Sequence, residues 1–240
     1  WFQPIVDAGG MIVGAEALIR WHHPTLGNVP PSVFIPIAEE SGNIAMIGKW
    51  VLFQVCRDIR RFGDALGERY ISVNLTTAEF SRPTLVDEIR ELLETERIRP
   101  ASLKLEITES QSMKDVDQVI RKIEDLSDIG IDVLIDDFGT GYSSLAYLKR
   151  LPAKTIKVDK AFVDHIAESD EELEFIRGVM TMIESKKKNV LVEGVTSLNQ
   201  YKLLRGLGAA YLQGYYFSEP RSGDDFLALL KAGKPLPVSA

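Results

Sequence analysis

Short apolar runs alternate with longer amphipathic stretches along the chain. The runs at 2–6, 11–18, 70–75, 103–107, 131–136, 154–158, 189–193 and 211–217 are bounded by turn residues and read as buried strands. Ile131–Ile135, Thr155–Val158 and Val190–Val192 are rich in β-branched residues, which suit a pleated surface. Between the runs the apolar spacing changes. Ile47, Val51, Val55, Ile59 and Phe62 recur every three or four positions and predict a helix over 44–62. The same spacing predicts helices over 83–97, 114–129, 170–187, 197–207 and 222–232. In the 170–187 stretch, Asp170, Glu171 and Glu172 come early and Lys186, Lys187 and Lys188 late, an order that complements a helix macrodipole.

Eight runs in 240 residues give about 30 residues per unit, the size of one βα unit. Strands alternating with helices imply a parallel sheet. Eight units favour a closed (β/α)₈ barrel over an open sheet. The first two runs are separated only by Asp7–Gly10, too few residues for a parallel crossover, so they pair as an antiparallel hairpin. The expected fold is therefore α/β, a modified TIM-like (β/α)₈ barrel with an antiparallel N-terminal strand. No linker or repeat interrupts 1–240, which reads as one domain. The start at Trp1, without a basic leader, suggests a domain cut from a longer protein.

Composition narrows the function. There are 28 basic and 35 acidic residues, a net charge of −7, which argues against broad binding to long nucleic acid. No run of about 18 apolar residues exists, so no membrane-spanning helix is expected. The single cysteine, Cys56, excludes an internal disulfide and a multi-cysteine metal site, and it fits a reducing, cytoplasmic setting.

The chemistry lies near the C-terminal ends of the runs. Glu16 and Arg20 follow the second, Asn74 the third, and Glu106 and Glu109 the fourth. Asp136-Asp137 end the fifth, Lys157 and Asp159 mark the sixth, Glu193 ends the seventh, and Gln213 opens the last. In a parallel barrel these ends share one face, where active sites are built. Taken singly, each acid reads as a cap or a surface residue, and Asn74 as a turn residue. Together they recur in the same phase. So many carboxylates repel one another unless divalent cations offset them, and their oxygens suit Mg²⁺, Mn²⁺ or Ca²⁺. Two such ions fit in-line displacement at a phosphodiester, with Lys157 and Arg20 meeting phosphate oxygens. Gly139-Thr140-Gly141 reads as a flexible loop after the Asp pair, and His22-His23 as a loop before Pro24. Lys186–Lys188 read as a solvated helix end.

An ordered series of motifs resembles the EAL domain family of bacterial cyclic-di-GMP phosphodiesterases. It runs from Gln3–Val6 and Gly14-Ala15-Glu16-Ala17-Leu18-Ile19-Arg20-Trp21 through Pro31, Phe34-Ile35-Pro36 and Ala38-Glu39. It continues through Val73–Thr76, Glu106–Glu109, Asp136–Leu145, Lys157–Asp159, Phe162-Val163, Glu193–Val195 and Gln213–Tyr215. The resemblance implies hydrolysis of cyclic-di-GMP to linear pGpG with Mg²⁺ or Mn²⁺, and inhibition by Ca²⁺. It implies that Glu16, Asn74, Glu106 and Asp136 hold one metal, that Asp136, Asp137 and Glu193 hold a second, and that Asp159 lies nearby. Glu193 would be the general base and Lys157 would orient the water or meet phosphate charge. Leu18 and Arg20 would contact the dinucleotide, and Gln213 would support the metal–water network. Glu109 and the loop through Phe138, Gly139, Thr140 and Gly141 would order the site and take part in dimer-linked control. The resemblance also implies a homodimer, with sensory or GGDEF domains elsewhere in a full-length protein that could be membrane-tethered, although this domain would make no membrane contact itself.

The chain departs from the family pattern at Thr196, where the family usually has a glutamate. A lost supporting acid commonly costs about 10–100-fold in metal affinity or activity. That departure leaves a second reading open: a module that binds cyclic-di-GMP without cutting it. The intact Glu16-Ala17-Leu18, Asp136-Asp137 and Lys157 favour the enzyme.

Overall fold

The computed structural model describes residues 1–112, 115–139 and 145–236. In chain order the strands are β1 (Phe2–Asp7), β2 (Ile12–Ala17), β3 (Trp21–His23), β4 (Gly27–Val29), β5 (Tyr70–Asn74), β6 (Leu103–Thr108), β7 (Asp132–Phe138), β8 (Thr155–Val158), β9 (Asn189–Val192) and β10 (Tyr211–Gln213). The α-helices are α1 (Pro31–Glu40), α2 (Ile44–Phe62), α3 (Thr77–Phe80), α4 (Leu85–Glu96), α5 (Glu109–Ser112), α6 (Val116–Asp128), α7 (Leu145–Arg150), α8 (Asp170–Glu184), α9 (Leu198–Gly206) and α10 (Gly223–Ala232).

Eight strands close into a barrel in the order β1-β10-β9-β8-β7-β6-β5-β2. β1 runs antiparallel to both β2 and β10. Every other neighbouring pair is parallel. This is the expected modified (β/α)₈ barrel, and the short Asp7–Gly10 turn is its physical cause.

Apolar side chains form two separate clusters. The larger lies between the barrel wall and the helices. On α2 its contributors Leu52, Val55, Cys56, Ile59 and Phe62 repeat at helical spacing. Phe2, Phe62 and Phe226 join β1, α2 and α10, with ring centroids 5.3–5.5 Å apart. The smaller cluster comprises Ile5, Tyr70, Leu134 and Leu191, with Val13 and Tyr211 against it. It is the apolar floor of the barrel lumen. A Cβ on residue 14 would stand 2.8 Å from the Tyr70 ring, so Gly14 makes room for that ring.

Side chains alternate across a strand, so residues two apart face the same way. Leu134 is followed by Asp136, Leu191 by Glu193, Tyr211 by Gln213 and Tyr70, through Ser72, by Asn74. The floor and the polar mouth are thus successive layers of one inward-facing surface.

Several expectations are corrected. His22 and His23 lie not in a loop but on the β3–β4 hairpin, where His22 Nδ1 pairs with Asn28 Oδ1 at 3.0 Å. The helix beginning at Asp170 ends at Glu184, so Lys186–Lys188 follow it rather than close it. Lys188 Nζ instead donates to Leu151 O at 2.6 Å and Ala153 O at 2.8 Å. Gln213 ends the last strand; the chain turns there, because Gly214 packs against the Val195 backbone and a Cβ on it would fall 2.1 Å from Val195 O. The expected 83–97 helix is two residues shorter at its start and one at its end, since α4 runs from Leu85 to Glu96.

Candidate active site

The mouth is built where the parallel strands end. Asn74 and Glu106 are register partners on β5 and β6, and Thr108 pairs with Asp136 on β6 and β7. Lys157 projects from the middle of β8 and is 1% exposed. Its Nζ stands 2.5 Å from Glu106 Oε2, 2.6 Å from Glu193 Oε1, 3.1 Å from Asp136 Oδ2 and 3.6 Å from Glu16 Oε2. The lysine is therefore the hub of the cluster, not an edge residue reaching for solvent.

Amides steer Glu16. Asn74 Nδ2 donates to its Oε1 at 2.6 Å and Gln213 Nε2 to its Oε2 at 2.8 Å. Asp137 occupies a left-handed backbone conformation with φ of 54°, at the point where the β7–β8 register shifts. Its backbone N–H donates to Asp136 Oδ1 at 2.9 Å. A non-glycine residue held there is strain that the surrounding structure must sustain.

Burial and charge set the protonation of the group. Burial alone would lower the Lys157 pKa, but Glu106, Glu16, Glu193 and Asp136 raise it well above the ordinary lysine value. Burial, with repulsion from Glu16 and Asp136, pushes Glu106 well up although Lys157 opposes it. Glu193 is pushed up to about 7, chiefly by burial, with Lys157 pulling the other way and Asp136 and Glu16 adding repulsion. Asp137 is raised by burial and by neighbouring Asp136 and Asp159.

The remaining expected residues fall in different places. Glu109 is fully buried, and its Oε2 accepts from Gly139 N at 2.8 Å, tying α5 to the end of β7. Phe138 is buried in the barrel wall. Asp159 Oδ1 accepts from Ala161 N at 2.8 Å, beside but outside the Lys157 cluster. Leu18 and Arg20 line a cavity of about 360 Å³ that also reaches Asn74, Thr76, Thr108 and Gln111. Thr196 is not brought to the cluster. Its N–H and hydroxyl both meet Gln200 Oε1, at 2.8 and 3.0 Å, in the capping turn of α9. Thr140 and Gly141 lie outside the described residues. Thr108 and Gln111 escaped the sequence reading because neither bears a charge. Their signal was position, Thr108 at the end of the Glu106 strand and Gln111 just past it.

Among the described residues, no three His, Cys, Asp or Glu side chains converge tightly enough to enclose a cation. The donor set nonetheless fits hard divalent ions. Four carboxylates, Glu16, Glu106, Asp136 and Glu193, lie within 3.6 Å of one lysine, and Asp137 adjoins Asp136, so the acids outnumber the cation. Glu106 Oε1 and Gln213 Oε1 are buried without a hydrogen-bond partner among the described residues. Oxygen acceptors in this state are the ligands Mg²⁺ and Mn²⁺ take.

A closed barrel whose mouth gathers acidic and amide oxygens around a buried lysine has the architecture of a TIM-barrel enzyme. More narrowly, the chain belongs to the EAL domain family, whose model matches residues 1–220. It is 39% identical over 229 residues to the bifunctional diguanylate cyclase/cyclic di-GMP phosphodiesterase MucR of Pseudomonas aeruginosa, covering 95% of this chain and 33% of MucR. It is 41% identical over 221 residues to the cyclic di-GMP phosphodiesterase NbdA of the same organism, covering 91% of this chain and 28% of NbdA. The chain thus spans about a third of these curated relatives. A solved structure of the MucR phosphodiesterase in complex with c-di-GMP superposes with a TM-score of 0.89 at 38% identity, covering 94% of this chain and 92% of that one. Among the described residues, no helix is long and apolar enough to cross a membrane.

Proposed function

We propose that this domain is a divalent-metal-dependent phosphodiesterase that adds water to cyclic-di-GMP and releases linear pGpG. The observation that carries this reading is the Lys157 hub, a buried cation among acids that outnumber it and leave oxygens unpartnered. The named activities of MucR and NbdA support the substrate.

Glu16, Asn74, Glu106 and Asp136 would hold one Mg²⁺ or Mn²⁺, and Asp136, Asp137 and Glu193 a second, with Asp159 close by. Such ions neutralise phosphate charge and lower the pKa of water. The chain's own residues do the rest. Glu193, with a side chain one-fifth exposed at the lip of the mouth, accepts the proton of the attacking water. The Lys157 ammonium orients Glu193 and Glu106 and adds positive charge where phosphate charge develops. Gln213 and Asn74 hold both oxygens of Glu16. Arg20 and Leu18 meet the dinucleotide from the adjoining cavity, Arg20 as a fork for a phosphate. Glu109 fixes the start of the loop after Asp137 through Gly139.

The same reading extends to a cytoplasmic setting, homodimer-linked control through that loop, inhibition by Ca²⁺, and sensory or diguanylate cyclase domains in the full protein. The test is Asp136→Asn, which removes the acid shared by both proposed ions. Hydrolysis should vanish while the thermal midpoint stays near wild type. Unchanged turnover would refute the shared role.

A further inference from the structure

Asn74 is a short side chain at the very end of β5, where the backbone leaves the barrel. Part of what fixes its position lies outside the acidic cluster. Past Asn74, Leu75 N still donates to Glu106 O at 2.9 Å, so the strand pairing carries one residue further. Thr76 then caps α3 in a reciprocal capping box: Glu79 N donates to Thr76 Oγ1 at 3.3 Å, and Glu79 Oε2 accepts from Thr76 N at 2.9 Å and Thr76 Oγ1 at 2.7 Å. α3 has only one turn, and this box caps its start.

Glu79 is unusual for a capping acid. It is 2% exposed, where most such residues face water. Its second oxygen, Oε1, is buried without a hydrogen-bond partner among the described residues. The carboxylate is seated against α2 at Gly48, and a Cβ on residue 48 would stand 1.2 Å from Oε1. Gly48 lies on the buried face of α2, where a glycine lowers helix stability relative to alanine. Its lack of a side chain is explained by the acid it accommodates. α2 thus carries a socket, Glu79 fills it, and the capped turn above it begins two residues after Asn74.

We propose that Glu79, seated on Gly48, is a positioning residue for Asn74, and through Asn74 for Glu16. The chain of contact is continuous: Gly48 receives Glu79, Glu79 holds Thr76, Thr76 ends the turn that starts at Asn74, and Asn74 Nδ2 bonds Glu16 at 2.6 Å. This inference rests on the metal-site reading above, since it concerns how one proposed ligand is held. Losing a partner that orients a ligand commonly costs about 10–100-fold in metal affinity.

The experiment measures Mn²⁺ affinity by calorimetry, without nucleotide, on the whole domain. Glu79→Ala should weaken Mn²⁺ binding by about tenfold in the wild-type background and have no further effect in an Asn74→Ala background. Glu79→Gln keeps an acceptor for Thr76 and should restore near-wild-type affinity. Gly48→Ala should weaken binding as Glu79→Ala does, because its methyl displaces the carboxylate. An equal loss for Glu79→Ala in both backgrounds, or failure of Glu79→Gln to rescue, would overturn the positioning role. Wild-type protein that binds Mn²⁺ with Glu79→Ala indistinguishable from it overturns this inference alone. Wild-type protein that binds no Mn²⁺ overturns the metal-site reading as well.

Discussion

Two lysines point into the same barrel from opposite ends, and their fates differ. Lys104, on β6 near the floor, lies 4.0 Å from the centre of the Tyr70 ring and 3.8 Å from Asp132. Asp132 is shared with Lys154, at 2.6 Å. Burial is the larger influence there, and the pKa of Lys104 is lowered. Lys157 is more deeply buried, yet its pKa is raised, because four carboxylates surround it. Burial alone does not decide the state of an ionisable group; the count and distance of opposite charges do. The floor lysine packs. The mouth lysine organises charge, at the end of the barrel where the strands deliver their acidic side chains.

The sharpest way to break this comparison is to remove each cation in turn. Lys157→Met should lower kcat/KM by at least about 10²–10³-fold, the range for losing one preorganised charge donor. Lys104→Met should leave turnover near wild type. Steady-state kinetics on both variants decides the matter, and equal losses would erase the distinction.

Stability should separate them too. Breaking a buried ion pair from one side costs about 3–5 kcal/mol, the expectation for metal-free Lys157→Met in urea. Lys104→Met gives up one cation–π contact and a long ion pair, for about 1 kcal/mol. The floor has its own weak point. Gly14→Ala crowds Tyr70 and should cost about 1–3 kcal/mol, as overpacking does, with the metal affinity of the mouth retained. Similar stabilities for the two lysine variants would contradict the description of Lys157 as a hub.

The barrel was legible from sequence because β-branched runs and amphipathic stretches alternate so regularly. The same alternation put Glu16, Glu106, Asp136 and Glu193 in one phase. Other parts were hidden for identifiable reasons. α1 carries Pro31 and Pro36, which disguise its Phe34 and Ala38 spacing. α3 and α5 span four residues each, too short for a periodic signal. β3 and β4 pair outside the barrel with largely exposed side chains, so no apolar alternation marks them. The centrality of Lys157 could be suspected from its apolar neighbours Ile156 and Val158, but its four partners come from four other strands or their ends. The Thr76–Glu79 box had a sequence signature, Thr-x-x-Glu after a strand, whereas Gly48 on another helix had none.

A subtler test follows from the raised acids. Glu193 has a folded-state pKa of about 7 against an ordinary 4.5. The folded form therefore binds more protons, and the contribution of Glu193 to stability is full below about 4.5 and is lost as pH rises through about 7. In chelator, the thermal midpoint of wild type minus that of Glu193→Gln should fall across that window. A flat difference would show that Glu193 titrates normally. The smallest effect is expected at Thr196. Its hydroxyl serves the α9 cap, so Thr196→Glu should leave Mn²⁺ affinity near wild type; a clear gain by calorimetry would mean that an acid there reaches the cluster.

The most direct measurement is a time course of the purified domain with cyclic-di-GMP and Mn²⁺, its nucleotides separated by chromatography, beside Glu193→Ala and with calorimetric binding in Ca²⁺. Linear pGpG accumulating with wild type and absent with Glu193→Ala is the expected result. Tight binding with no product under either Mn²⁺ or Mg²⁺ would contradict the enzyme and leave a cyclic-di-GMP receptor.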